Sequence, residues 1–262
     1  MNRIIKTDDT SGIILRKEVS RNATIIEGFP TIGFVGTIAA RYIVEELDME
    51  LVGHIESTAI PSVAIIHKSQ PNPPIRIYAK DNLIIILSEL VIPSQFTHEL
   101  SRILVKWFKE IKPKEVISLV GISSEPMPLN IIKPLSIQQE CEMHEVFGIA
   151  TNDELNKKLE KLKVTVINEG TITGESSDIL LKCIEYDIPA ISLMVEAHIV
   201  PDPLASASVL KILNKHLKLK VDVEKLMEQG KKVEKQFKVI LEQLKKGKTG
   251  YTQIGEFSPM YG

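Results

Sequence analysis

The run Leu83-Ile84-Ile85-Ile86-Leu87 is apolar at five consecutive positions, and it constrains the fold more than any other feature. Successive side chains of a strand face opposite sides of its sheet, so a strand with one wet face alternates apolar and polar residues. A continuous apolar run instead belongs to a strand buried on both faces, which requires a covering layer above and below the sheet. Short apolar, β-branched runs recur at 23–26, 51–57, 115–120, 146–150, 164–168 and 188–195, with a further apolar stretch at 63–66. Helical patterns lie between them, at 33–47, 153–162, 176–186 and 203–216. Phe96, Leu100, Ile103, Leu104, Trp107, Phe108 and Ile111 recur at i+3 and i+4 and form the best amphipathic helix of the first half. Ser94 is its predicted N-cap and Lys112-Pro113 its stop. This alternation predicts a three-layer α/β/α sandwich with a largely parallel central sheet. A hairpin of 75–79 with 83–87 about Lys80-Asp81-Asn82 would make the sheet mixed, and 71–74 reads as a surface turn.

The last third changes character. Asp222 is the predicted N-cap of a long helix that runs to Lys246 and closes at Gly247. Leu226, Gly230, Val233, Phe237, Ile240 and Leu244 form a narrow heptad-like stripe on it, suited to packing in a bundle or against a partner helix. Residues 247–259 hold three glycines and a late proline without periodicity, and read as a flexible tether spanning on the order of 20 Å. The expected organisation is a core domain at 1–220, a long helix at 221–246 and a tail at 247–262.

With 262 residues, 44% hydrophobic and 25% charged, the chain can bury a sizeable core. Two cysteines, Cys141 and Cys183, make no disulfide framework, the N-terminus lacks a signal-peptide apolar region, and no apolar run approaches a membrane span. A cytoplasmic protein with no membrane partner is expected. Residues 211–248 carry 12 lysines against five acidic residues, a net of +7 that leaves −9 on the remainder. A solvated lysine face is preferred there over a nucleic-acid patch, because the interleaved aromatics of single-strand binders are lacking.

Two glycine-bearing loops precede helices. Gly33 and Gly36 follow the first central strand, and Gly170, Thr171, Thr173 and Gly174 precede the 176–186 helix. Helix N-termini can hold anions. The alternatives are close helix–sheet packing for Gly33 and Gly36, and helix capping by the threonines. Neither loop has dinucleotide-binding or Walker spacing. Cys141 and His144 are two possible metal ligands without a second pair, and His54, His67, His98, His198 and His216 show no metal-ligand spacing. Gly174-Glu175-Ser176-Ser177-Asp178 lacks the final glycine of a nucleophile elbow. Glu89 and Glu196 follow buried strands, where α/β enzymes place catalytic groups and where solvated carboxylates also occur. No metal or cofactor is expected.

Residues 27–36, 87–89, 170–174, 188–193 and 201–205 together resemble the archaeal form of the proteasome-assembly-chaperone family, over about residues 20 to 246. The resemblance implies an α/β/α sandwich like that of nucleoside phosphorylases, a homo-oligomer and no ATPase activity. The terminal Met260-Tyr261-Gly262 is similar to the hydrophobic–Tyr–any tails that proteasome activators and assembly factors dock between α-ring subunits. Tyrosine offers an apolar ring with a polar tip, and the free carboxylate can pair with a buried cation. The expected function is therefore an ATP-independent chaperone or activator whose partners are core proteasome α-subunits and further copies of itself. The alternative is a small-molecule phosphorylase- or hydrolase-like enzyme using the Gly33 or Gly170 loop.

Overall fold

A computed structural model describes residues 3–6, 11–67, 69–123, 143–198 and 201–228. In chain order its elements are β1 (Arg3–Lys6), β2 (Ser11–Leu15), β3 (Thr24–Gly28), α1 (Val35–Glu46), β4 (Glu50–Ser57), β5 (Ile65–His67) and β6 (Gln70–Asn72). Then come β7 (Ile75–Lys80), β8 (Leu83–Ser88), α2 (Thr97–Ile111), β9 (Glu115–Ile122), β10 (Val146–Ala150) and α3 (Asp153–Lys161). The series ends with β11 (Thr165–Val166), α4 (Glu175–Glu185), β12 (Ala190–Glu196), α5 (Pro203–Leu217) and the start of α6 at 223–228.

Ten strands form one mixed sheet in the order β1-β2-β4-β7-β8-β3-β9-β12-β10-β11. Its centre, β8-β3-β9-β12, is parallel, and β2, β4 and β7 meander antiparallel on one flank. The apolar run 83–87 occupies that centre as β8, buried along its whole length. The chain leaves β3 through α1 towards β4, passing over β8, and leaves β8 through α2 towards β9, passing over β3. Parallel crossovers are right-handed, so connections in opposite directions must lie on opposite faces. The core divides accordingly. α1, α3 and α5 pack on one face, with Ile26, Ile85, Ile117 and Ile191 beneath them. α2 and α4 pack on the other, with Ile25, Ile84, Val116 and Ala190 beneath. Burying each large aliphatic side chain contributes about 1.5–3 kcal/mol. α2 and α4 are also joined through Asp178, which accepts from Ser101 Oγ at 2.6 Å.

All seven apolar residues of the predicted 96–111 stripe are buried. Its start differs from the expectation. Ser94–Phe96 forms a 3-10 turn in which Phe96 N–H reaches Pro93 O at 2.8 Å, and Ser94 makes no side-chain cap bond. The tighter turn satisfies the backbone that an N-cap serine would have served. At the other end Lys112 takes a left-handed φ of 49°. The 63–66 stretch is not core: Ile66 is exposed, and among the described residues β5 pairs only with β6, which overlaps the first half of the expected 71–74 turn. Pro71 is tolerated because this two-stranded ribbon leaves its outer edges unpaired. Asp222 caps α6, its Oδ1 accepting from Lys225 N at 3.3 Å. The proline-bearing excursion after Gly121, and all but the start of the 226–244 stripe, lie outside the described residues.

Candidate functional site

The parallel strands point their C-terminal ends to one rim, and the oppositely directed connections from β3 and β8 create a crevice there, where open α/β sheets commonly bind ligands. At this rim side-chain bonds tie the strand ends together. Thr37 Oγ1, in the first turn of α1, donates to Ser88 O at 3.0 Å and bridges the ends of β3 and β8. Thr31 Oγ1 accepts from Gly121 N at 2.8 Å and ties the turn after β3 to β9. Gly33 and Phe34 are successive left-handed residues, with φ of 66° and 51°. Gly33 O accepts from Asp202 N at 2.9 Å, and a side chain at Gly33 would come within 2.7 Å of Ala197 Cβ. Gly36 lies directly on the sheet, where a Cβ would stand 2.5 Å from Leu119 O and 2.8 Å from Phe29 O. Both glycines serve close packing of α1 and its entry turn.

Asp202 organises the rim beside Gly33. Its Oδ1 caps α5 by accepting from Ala205 N at 2.9 Å, and its Oδ2 pairs with His198 Nδ1 at 2.7 Å. Burial pushes this carboxyl up, but the hydrogen bonds from His198 and Ala205 outweigh it and hold the group below its ordinary value. His198 meets His144 edge to face, with ring centroids 6.3 Å apart. Cys141, the other half of the possible ligand pair, lies outside the described residues. Among the described residues no group of three or more His, Cys, Asp or Glu is arranged to hold a metal ion, and no helix is long and apolar enough to cross a membrane.

Glu89 and Glu196 are not brought together. Their strands are separated by β3 and β9, roughly 14 Å at ordinary strand spacing. Glu89 accepts from Arg41 Nη1 at 2.8 Å and from the buried Arg76, and Arg41 also reaches Glu45 and His67, each at 3.0 Å. A carboxylate between two guanidinium groups is a counter-ion that anchors α1 to the β7–β8 hairpin. Glu196 is exposed at the end of β12.

The second glycine loop lies on the other face. Gly170, Thr171, Thr173 and Gly174 are exposed before α4. Gly174 is the N-cap, with φ of 89°, and no side chain caps the helix; the Ser177 hydroxyl donates to Gly174 O at 2.7 Å. The two loops therefore serve helices on opposite sides of the sheet. Met260, Tyr261 and Gly262 lie outside the described residues.

Sequence reasoning missed two groups. Arg41 and Arg76 bind Glu89, though nothing in their local spacing distinguishes them from surface arginines. Glu27 is buried in β3 at 1% exposure, with Ser118 Oγ donating to its Oε1. Its signal was a lone acid closing an apolar strand.

Fold and rim together define a three-layer α/β protein whose strand ends carry helix-capping and ion-pair contacts. The profile of the PAC2 family matches residues 25–241, and the chain belongs to that family. Protein MJ0106 of Methanocaldococcus jannaschii is 33% identical over 223 residues, covering 85% of this chain and 87% of that protein. The crystal structure of Pyrococcus furiosus PbaA, described as an archaeal homolog of proteasome-assembly chaperone, matches with a TM-score of 0.77 and 34% identity over 90% of this chain and 94% of PbaA. Pyrococcus furiosus PbaB, described as an archaeal proteasome activator, shares the fold with a TM-score of 0.73 at 21% identity, covering 89% of this chain and 99% of PbaB.

Proposed function

We propose that this protein is an ATP-independent, cytoplasmic assembly chaperone or activator of the core proteasome, and that it works as a homo-oligomer docking Met260-Tyr261-Gly262 into α-ring pockets. The likeness to PbaA over nine-tenths of the chain carries the reading to the proteasome, and the terminal tripeptide supplies the means of attachment. The division into an α/β core, a long helix from 221 and a tail from 247 serves that mechanism: the body assembles and the tether presents the tail. Several tails on one body raise their effective concentration at a ring of pockets, by avidity factors of about 10² to 10⁴.

Tyr261 is the anchor, because aromatic residues in desolvated pockets dominate binding energy. Tyr261→Ala is expected to weaken binding to purified core particles by at least about 2 kcal/mol per tail while leaving folding and oligomeric state unchanged. One residue added after Gly262 should act similarly, since it displaces the carboxylate. Surface plasmon resonance on immobilised core particles measures both. Unchanged affinity for Tyr261→Ala would refute tail docking.

A further inference from the structure

Three buried polar atoms without a protein partner lie in one region beneath α4: Glu27 Oε2, Glu175 Oε1 and Ser192 Oγ. The sheet register explains the gathering. Glu27 is paired with Ser118 across β3 and β9, and Ser118 with Ser192 across β9 and β12. All three project to the α2–α4 face, since their second neighbours Ile25, Val116 and Ala190 belong to that side of the core. Glu175 enters from the first turn of α4, and Cys183 from two turns further along the same helix. Glu27 thus accepts from the Ser118 hydroxyl and Glu175 from its own backbone N–H, and among the described residues no cation faces either carboxyl group. Buried charge is tolerated only when paired, so burial here favours the protonated form of Glu27.

We propose that Glu27, with Glu175 beside it, forms a proton-binding site between the sheet and α4, holding a proton while α4 is seated and releasing it when α4 lifts. Burial raises Glu27 to about 8, opposed by the bond from Ser118 and assisted by Glu175. Burial also raises Glu175. Cys183 is pushed to about 12, by burial first and then by Glu27. Among the described residues the surroundings offer no compensating charge: β8 presents Ile86 in register, β9 Ser118, β12 Ser192, and α4 Glu175 and Cys183. On α2, Glu99 is engaged by Ser57 and Ser11, and His98 by Asp178 on the α2-facing side of α4.

The sign follows from linkage. Seated α4 keeps a proton that the lifted state, with Glu27 in water, releases near the ordinary carboxylate value of 4.5. Seating is therefore firmest at low pH and weakens as pH rises from that value to about 8, where the dependence levels off. Each bound proton makes the opening equilibrium rise up to about tenfold per pH unit inside the window.

Cys183 reports the opening, because its buried thiol becomes alkylatable only when α4 lifts. In a Cys141→Ser background, maleimide labelling of Cys183 is followed between pH 5.5 and 9, at reagent concentrations where rate is linear in reagent. Rates are divided by those of the denatured chain at the same pH, which cancels the thiol's own titration. The normalised rate is expected to climb by roughly tenfold per pH unit up to about pH 8 and then flatten, and to lose most of that slope in Glu27→Gln. Should Glu27→Gln fail to fold, Glu175→Gln is expected to end the climb at a lower pH, because Glu175 assists the raising of Glu27. A flat profile in the Cys141→Ser protein, an unchanged slope in folded Glu27→Gln, or an unchanged end point in folded Glu175→Gln overturns the proposal.

Discussion

At the scale of single residues, polar groups inside this fold are placed in two opposite ways. Arg76 is 2% exposed and its charge is answered by Glu89, which also takes Arg41. A paired buried charge is not a large net stabiliser, but removing one partner strands the other. Glu89→Ala is accordingly expected to cost about 3–5 kcal/mol in denaturant unfolding, whereas Glu196→Ala at the exposed end of β12 should stay within about 0.5 kcal/mol. Equal effects at the two positions would remove the counter-ion role of Glu89. Glu27 follows the other course: among the described residues no cation answers it, and burial raises its carboxyl to about 8, so its contribution is expected as pH dependence instead of as an ion pair. Glu89 does not differ in local sequence from a surface acid at a strand end, and Glu27 shows only the faint signal of a lone acid closing an apolar strand. The difference comes from residues far away in the chain, Arg41 being 48 positions from Glu89.

At the scale of elements, α1 shows how a helix can trade intrinsic propensity for proximity. Gly36 sits in an ordinary helical conformation, where alanine would normally gain about 1 kcal/mol. The carbonyl oxygens of Leu119 and Phe29 occupy the space of its Cβ, however, and backbone cannot step aside as a flexible side chain can. Gly36→Ala is expected to destabilise by a net 1–3 kcal/mol, measured as a fall in Tm and in denaturant midpoint. A stabilised variant would mean that α1 stands further from β9 than this packing requires. The 3-10 turns at Ile32–Phe34 and Ser94–Phe96 belong to the same scale. Both precede helices that leave the strand-end rim, and both take up backbone that a side-chain cap would otherwise satisfy.

At the scale of the whole molecule, a multivalent mechanism needs more than one copy. Light scattering at micromolar concentration is expected to give a mass several times that of one chain, unchanged on deletion of 260–262. A clean monomer would leave avidity without a basis and reduce each tail to its individual affinity. What the sequence determined by itself was the architecture. The continuous run at 83–87 demanded a sheet covered on both faces, the 96–111 stripe demanded a helix with one buried side, and periodicity is local enough to be read without knowing any partner. The helices at 153–162, 176–186 and 203–216 fell within a residue or two for the same reason. Tertiary structure alone decided strand order and the exposure of Ile66. It also placed the Gly33 and Gly170 loops on opposite faces, gave Glu89 two arginines, and left Glu27 and Glu175 together with no cation among the described residues. Those outcomes depend on which distant segments become neighbours, and side-chain partners brought together by long-range register leave no periodic trace in the chain that encodes them.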